Sequence, residues 1–191
     1  MAAGMDRMMR MNGNSPEKEI KKMQKITPSL WFDKDTEEAV NFYIALFNGS
    51  PHKSGNSKII SITRYEKGME VPGAKELEGK IITAIFELNG QRFMALDGGP
   101  IFKFNEAVSF YVECEDQVEV DYFWKRLSAV PKSEQCGWLK DKFGLSWQII
   151  PKQMGELLGA ANQKKAMAAM NAMLKMKKIV IADLQKAFDE G

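Results

Sequence analysis

The chain has 191 residues and a mass of 21.6 kDa, with 45% hydrophobic and 27% charged residues. This mixture is typical of a globular protein that can bury a sizeable core, and it excludes a disordered tail. No apolar run reaches the length of about 18 residues that a membrane-spanning helix needs, and the N-terminal stretch lacks the apolar middle of a secretory signal. We therefore expect a cytoplasmic protein with no membrane partner.

The net charge of +2 is unevenly distributed along the chain. Residues 1–25 contain six Lys or Arg against three Asp or Glu, and residues 152–178 contain six Lys against one Glu. The rest of the chain therefore carries a net charge of −6. An acidic body with basic ends argues against nucleic acid as a partner, because a duplex-binding domain concentrates Lys and Arg on one folded face.

The chain contains two cysteines and one histidine. Cys114 and Cys136 form no CxxC pair, and two cysteines are too few for a disulfide framework in a chain of this size. His52 lies in a polar run that is typical of a loop. Cys136 has no histidine nearby in sequence to activate it, so a small half-buried side chain is favoured over a nucleophile.

Changes in composition divide the chain into three parts. Residues 1–24 show no sustained periodicity and are predicted to form a mobile leader. Residues 25–151 form the body. Residues 152–191 show helical spacing of Leu, Ala and Met, which predicts C-terminal helices packed on the domain or on a dimer partner.

The body begins with an extended segment over 26–32, followed by a helix that starts near Asp35, a candidate N-cap. A short alternating run over 58–65 comes next, and two further runs, 80–88 and 91–97, flank Asn89-Gly90. Asn-Gly is a strong two-residue hairpin signal, because both positions tolerate a positive φ.

The pattern then repeats. Residues 29–47 align without a gap over residues 109–127, at an offset of 80, and residues 90–96 match residues 144–150. A predicted N-cap, Asp116, starts the second helix. The two offsets predict an α+β fold made of two β-α-β-β-β units, a long one and a shorter one, with a C-terminal helical extension.

Strand alternation then predicts which side chains face a cleft shared by the two units. We assign Trp31, Tyr111 and Trp147 to the side covered by the helices. The opposite side would be largely apolar, with Arg92 and Gln148 as its main polar groups. It would receive Leu30, Phe32, Arg92, Met94, Leu96, Phe110, Val112, Ser146, Gln148 and Ile150.

Five stretches carry a resemblance to a known family: ITPSLWFD (26–33), EAVNFY (38–43), FELNGQRFMALDGGP (86–100), NEAVSF (105–110) and CGWLKDKFGLSWQIIP (136–151). They resemble the PhnB-like branch of the vicinal oxygen chelate superfamily, which includes glyoxalases, bleomycin resistance proteins and dioxygenases. This branch is often labelled 3-demethylubiquinone-9 3-methyltransferase. The resemblance implies the paired-unit fold and a homodimer.

In metal-dependent members of the superfamily, four positions at the strand ends carry His or Glu. By resemblance these positions fall at Pro28, Met94, Val108 and Gln148, and none of these residues binds a divalent cation well. The resemblance therefore implies a site without metal or other cofactor. A methyltransferase site would use a glycine-rich turn between a strand and a helix, whereas this chain offers only Gly98-Gly99-Pro100 after a hairpin strand.

We therefore predict a protein that binds a small, partly apolar or aromatic molecule in a metal-free cleft, with catalysis unidentified. A methyltransferase as the family label states, and a metal-dependent lyase or dioxygenase, are the alternatives. Trp138 is assigned to the cleft wall, and the Gln148 amide to either a ligand or a neighbouring group. The predicted ligand-binding residues are Phe32, Arg92, Met94, Phe110, Cys136, Trp138 and Gln148.

Overall fold

The structure is a computed structural model that describes residues 25–52, 55–70 and 77–191, so the predicted leader, 1–24, lies outside the described residues. Seven strands form two sheets. They are β1 (Ser29–Phe32), β2 (Lys58–Arg64), β3 (Ile81–Leu88), β4 (Gln91–Asp97), β5 (Ser109–Cys114), β6 (Trp138–Lys140) and β7 (Ser146–Pro151). Five helices accompany them: α1 (Thr36–Asn48), α2 (Gln117–Leu127), α3 (Lys152–Leu158), α4 (Gln163–Met173) and α5 (Ile181–Glu190).

The two sheets share one topology. The first sheet has the order β1-β4-β3-β2 and the second has the order β5-β7-β6. In each sheet the first strand pairs in parallel with the last strand of its unit, and a helix follows the first strand. The predicted α+β fold of two related units is therefore confirmed. The second unit has one strand fewer, because a 3₁₀ turn over Pro131–Ser133 stands between α2 and β6.

Local sequence signals explain several of the element ends. Asn89 and Gly90 both have positive φ, 47° and 86°, so the predicted hairpin turn joins β3 to β4. The Asp116 carboxylate accepts a hydrogen bond from the Glu119 backbone N–H at 3.0 Å, which confirms this residue as the cap of α2. Asp35 precedes α1 without a side-chain capping bond. Asp97, at the end of β4, accepts from the Thr36 N–H at 2.9 Å instead.

Helices α1 and α2 and the two sheets contribute to one hydrophobic core. The inward face of the first sheet packs below α1, and aromatic contacts continue from it into the second unit. Phe93 of β4 meets Phe110 of β5 with ring centroids 5.1 Å apart, and Phe47 of α1 meets Phe123 of α2 at 5.2 Å. The inward faces of the two sheets therefore share one core.

Strand orientation is as predicted for the last strand of each unit and wrong for the first. Phe93 and Trp147 are buried, which places Met94 and Gln148 on the outward faces. Ser146 and Ile150, which we also expected in the cleft, are buried instead, and Ile150 packs with the C-terminal helices. Leu30 and Phe32 of β1, and Phe110 and Val112 of β5, face inward, whereas we expected them in the cleft.

The two aromatic residues expected under the helices take the outward positions instead. Trp31 packs its ring over Gly98 and donates its indole N–H to the Gly99 carbonyl at 2.9 Å. Tyr111 is 56% exposed. A Trp or Tyr can cover apolar surface while its polar group bonds elsewhere, so size alone does not place the ring in the core.

The C-terminal helices form a second, smaller core. It is built from Ile150, Leu157, Ala169, Ile179 and Leu184. The segment between α4 and α5 also hydrogen-bonds to the second unit, because the backbone N–H groups of Cys136 and Gly137 donate to the carbonyls of Met176 and Lys177. In the described part of the chain, no helix has the length and apolar character that crossing a membrane requires.

Candidate functional site

A cavity lined by described residues lies between the two units. It has a volume of about 590 Å³, which is within the usual range for small-molecule sites of roughly 300–1,000 Å³. Its inner wall is formed by Phe47, Leu88, Phe93, Phe110, Val112 and Trp147, and its rim by Ile26, Pro28, Asn89, Gln91, Tyr111 and Glu113. We refer to it as the inter-unit pocket.

Four aromatic rings from four different elements give the pocket its shape. Phe110 of β5 contacts Phe93 edge-on, at 5.1 Å and an interplanar angle of 90°, and contacts Trp147 of β7 at 5.5 Å. Phe47, at the C-terminal end of α1, lies 6.1 Å from Trp147. These rings hold one another in place, so they present a preformed apolar wall to a planar molecule.

The rim is polar and carries one formal charge, on Glu113. Tyr111 stands beside it on the same strand. Burial raises the pKa of the Tyr111 phenol, and the negative charge of Glu113 raises it further. The mouth of the pocket therefore opposes the appearance of a second negative charge.

Asp141 does not line the pocket but contacts Trp147, which does. The sequence did not lead us to predict this role. The side chain is 1% exposed and accepts hydrogen bonds from the Tyr43 hydroxyl at 2.7 Å and the Trp147 indole N–H at 2.9 Å. The backbone N–H groups of Phe143 and Leu145 donate to its other oxygen. Asp141 is thus a positioning residue for Trp147, and the Asp-Lys-Phe-Gly turn in the sequence was the available signal for it.

Burial raises the pKa of the Asp141 carboxyl above its ordinary value of 3.8, while the Tyr43 and Trp147 hydrogen bonds act in the opposite direction. A charged group this deeply buried is tolerated only when it is well hydrogen-bonded, and four donors meet that need. Because Tyr43 belongs to the first unit and Trp147 to the second, Asp141 also ties the units together.

The seven predicted ligand-binding residues lie at five places. Phe110 lines the inter-unit pocket, and Phe32 lines a smaller cavity of about 240 Å³, where it contacts Phe104 and Phe143. Arg92 and Met94 share the outward face of the first sheet. Trp138 and Gln148 share that of the second, and Cys136 lies in the turn before β6.

On the outward face of the first sheet, Arg92 lies opposite Glu87 across the β3–β4 ladder. A guanidinium nitrogen of Arg92 is 3.7 Å from a carboxylate oxygen of the buried Glu87. Met94 is half-buried two residues further along the same face. The surface combines an ion pair with a flexible apolar side chain, which is a suitable surface for a partly apolar partner.

On the outward face of the second sheet, Gln148 pairs with Trp138 on one side and with Tyr111 on the other. Its amide nitrogen donates to the Ser109 hydroxyl at 2.9 Å. The bond to a neighbouring side chain, one of the two alternatives for this amide, is therefore present. Trp138 remains half-buried, and its ring covers this face beside Gln148.

Neither cysteine is in the environment of an activated nucleophile. Cys114 is buried, and burial together with nearby carboxylates raises the pKa of its thiol. Cys136 has an unusual positive φ of 50°, and its sulfur accepts from the Gln135 amide at 3.3 Å. The hydrogen-bond partners described for the two sulfurs are the Val112 carbonyl and the Gln135 amide, and neither of them is a cation.

The donors for a metal site are also a poor fit. The four positions named by the superfamily resemblance hold Pro28, Met94, Val108 and Gln148, and the Gln148 amide is bonded to Ser109. Within residues 25–52, 55–70 and 77–191, no group of three or more His, Cys, Asp or Glu side chains is arranged to hold a metal ion. The residues present do not fit a catalytic divalent cation.

Gly98 and Gly99 have a local structural explanation. A Cβ atom on Gly98 would overlap the Trp31 ring, and Gly99 adopts a positive φ of 81° and accepts from the Trp31 indole. No helix begins after them in the structure, since residues 100–108 contain turns and β5 follows. The glycine pair therefore makes room for Trp31 and lacks the helix N-terminus of a nucleotide-type site.

Comparison with known proteins places these features in a family. A family model described as 3-demethylubiquinone-9 3-methyltransferase matches residues 24–150. No curated protein gave a significant match. The match ends before the C-terminal helices, so the body alone carries the family relationship.

Two solved structures show the same architecture. A PhnB protein from Bacillus cereus, described as a candidate 3-demethylubiquinone-9 3-methyltransferase, is 38% identical with a TM-score of 0.53, over 67% of this chain and 99% of its own. Protein PA1353 from Pseudomonas aeruginosa is 17% identical with a TM-score of 0.50, over 68% of this chain and 98% of its own. The second likeness concerns the fold alone.

Proposed function

The chain belongs to the 3-demethylubiquinone-9 3-methyltransferase family of PhnB-like proteins, and from this premise we propose that it binds a small, partly apolar or aromatic molecule in the cytoplasm, without a metal. The inter-unit pocket is the site that supports this function best. It joins the volume of a small-molecule site to a wall of aromatic rings, and it uses side chains from both units.

The observation that carries the proposal is the aromatic wall formed by Phe47, Phe93, Phe110 and Trp147. Aromatic rings that meet edge-on leave faces on which a planar ligand can stack, and each such contact adds about 0.5–1.5 kcal/mol beyond area burial. The described lining contains no His, Cys, Lys or Arg, and its ionisable side chains are those of Tyr111 and Glu113. We therefore propose binding and leave catalysis unidentified.

A methyltransferase, as the family description states, is the alternative that the comparison favours. Binding of S-adenosylmethionine, followed by isothermal calorimetry, tests it directly. We expect no heat of binding at millimolar donor, because the Gly98-Gly99 turn leads into no helix and packs against Trp31. Saturable binding at a one-to-one ratio would favour the methyltransferase and contradict our proposal.

A metal-dependent lyase or dioxygenase is less well supported, because Met94 and Gln148 occupy the positions that acidic or imidazole ligands would need. Metal analysis of protein purified without a histidine tag decides this alternative. Zinc, nickel, iron or manganese at one equivalent per chain would establish it.

A homodimer is also part of the proposal. The outward face of the first sheet carries Arg92 and Met94, and that of the second sheet carries Trp138 and Gln148. A second copy could set the outward face of one first sheet against that of the partner's second sheet, and bring these four predicted ligand residues into one cleft. Sedimentation at micromolar concentration tests the dimer, and Met94→Glu should weaken it.

The pocket itself is tested with N-phenyl-1-naphthylamine, an uncharged planar probe whose fluorescence increases in apolar surroundings. We expect saturable micromolar binding to the full chain. Val112→Phe adds a ring to the inner wall and should weaken binding at least about tenfold, because it fills volume that the probe needs.

The matched control is Val118→Phe. Val118 is 62% exposed on α2 and does not line the pocket, so the same chemical change should leave probe binding unaltered. Circular dichroism verifies that both variants fold. Absence of probe binding to the parent chain, or equal weakening in both variants, would overturn the assignment of the pocket as the ligand site.

A further inference from the structure

The charges of the residues that line the inter-unit pocket limit the chemical class of ligand that it can bind. This inference rests on the proposed function of the same site. Glu113 is the one Asp, Glu, Lys or Arg among the twelve lining residues, in a chain that has 27 Lys and Arg. A buried carboxylate, sulfonate or phosphate needs a cation or several hydrogen-bond donors to offset its lost hydration. The described lining supplies no cation.

The charges beside the pocket reinforce this asymmetry. Glu113 forms no ion pair with any residue in the described part of the chain, so its charge is not neutralised by a contact. Lys152 is close enough for an electrostatic interaction with Glu113, but it pairs with Glu115. His52 pairs with Asp116. The Lys152 ammonium group is thus engaged with another carboxylate.

The behaviour of Tyr111 gives independent support. This rim phenol would carry a negative charge only after losing its proton, and its pKa is raised by burial and by Glu113. The same field would act on an anionic group of a ligand in the same place. The ring faces of Phe93, Phe110 and Trp147, which line the pocket, are in contrast electron-rich and attract positive charge.

We infer that the inter-unit pocket selects uncharged or positively charged aromatic molecules and rejects anionic ones, with Glu113 as the residue that sets this preference. The ligand is then a ring compound such as a phenol, an aromatic amine or a neutral quinone, and not an aromatic carboxylate or a phosphate ester. Glu113 acts on specificity through its charge, while the aromatic wall supplies the affinity.

The experiment compares two probes that share one ring system. N-phenyl-1-naphthylamine is neutral, and 8-anilinonaphthalene-1-sulfonate is the same molecule with an added sulfonate. Both are titrated into the full chain at low ionic strength. The neutral probe should bind more tightly, and Glu113→Gln should reduce the ratio of the two affinities by at least about threefold, because it favours the sulfonate. Added salt should reduce the gap in the parent chain.

Glu190→Gln is the matched control, because Glu190 is an exposed carboxylate on α5 and does not line the pocket. It should leave the ratio of the two affinities unchanged. The inferred selectivity is wrong if the neutral probe binds but Glu113→Gln does not alter the ratio of affinities. It is also wrong if the sulfonate binds more tightly to the parent chain. In both cases the assignment of the pocket as a ligand site is unaffected. If neither probe binds, the proposed function itself fails.

Discussion

The hairpins that end the two units have matching sequences and different acidic side chains. Glu87 and Asp141 each stand three residues before a glycine of positive φ, Gly90 at 86° and Gly144 at 88°. Glu87 lies on an outward face and pairs with Arg92 at 3.7 Å. Asp141 turns into the core and accepts four hydrogen bonds. The repeat thus preserves the backbone of the hairpin, while the acidic residue is an ion-pair partner in one unit and an anchor between units in the other.

The largest expected difference between the hairpins concerns stability. Asp141→Ala leaves the Tyr43 hydroxyl, the Trp147 indole and two backbone N–H groups without their acceptor, and should lower the free energy of unfolding by about 3–4 kcal/mol. Glu87→Gln should cost about 1 kcal/mol or less, because Arg92 can turn to water. Urea denaturation followed by tryptophan fluorescence measures both. Equal losses would show that the two carboxylates have the same role.

The second expected difference is in pH dependence. Because the pKa of Asp141 is raised in the folded chain, the native state retains this proton to higher pH than the unfolded state, whose pKa is near the ordinary 3.8. Its titration therefore lowers stability as pH rises through the window that starts near 3.8. Asp141→Asn removes the titration, so its cost should be larger near pH 4 than near pH 7. Urea midpoints at several pH values check this, and a cost that increases with pH would contradict it.

The smallest expected difference is between the hairpin glycines themselves. Gly90 and Gly144 have nearly the same positive φ, and a Cβ on either would meet no atom within 4 Å. Alanine at each position should therefore lower the free energy of unfolding only through conformational strain, by about 1 kcal/mol. The loss should be nearly the same in both units. Thermal unfolding of the two single variants compares them. A clearly larger loss at one site would show that the backbones are less equivalent than their φ values indicate.

The sequence predicted most of the fold. The repeat between residues 29–47 and 109–127, the Asn89-Gly90 turn and the Asp116 cap were all visible in residue types and spacing, and the structure contains them. These features depend on local chemistry or on the repeat itself. That is why they could be predicted without knowledge of how the units pack.

The orientation of the first strands could not be predicted in the same way. Leu30, Trp31 and Phe32 are all apolar, so nothing in β1 marks which side faces solvent, and a shift of one residue exchanges the faces. The last strands follow hairpin turns that fix their phase, and their orientation was correct. The inter-unit pocket was not predicted either, because Phe47, Phe93 and Trp147 come together only when α1, β4 and β7 pack.

The hydrogen bond between Tyr43 and Asp141 joins residues 98 positions apart. The final packing of α1 therefore depends on a turn that is synthesised almost a hundred residues later. The first unit cannot complete its packing until the second unit has been synthesised. A stand-alone unit would also expose the face that carries Phe47 and Phe93. The interior of the chain thus has the character of an interface between two units that need each other to cover their apolar faces.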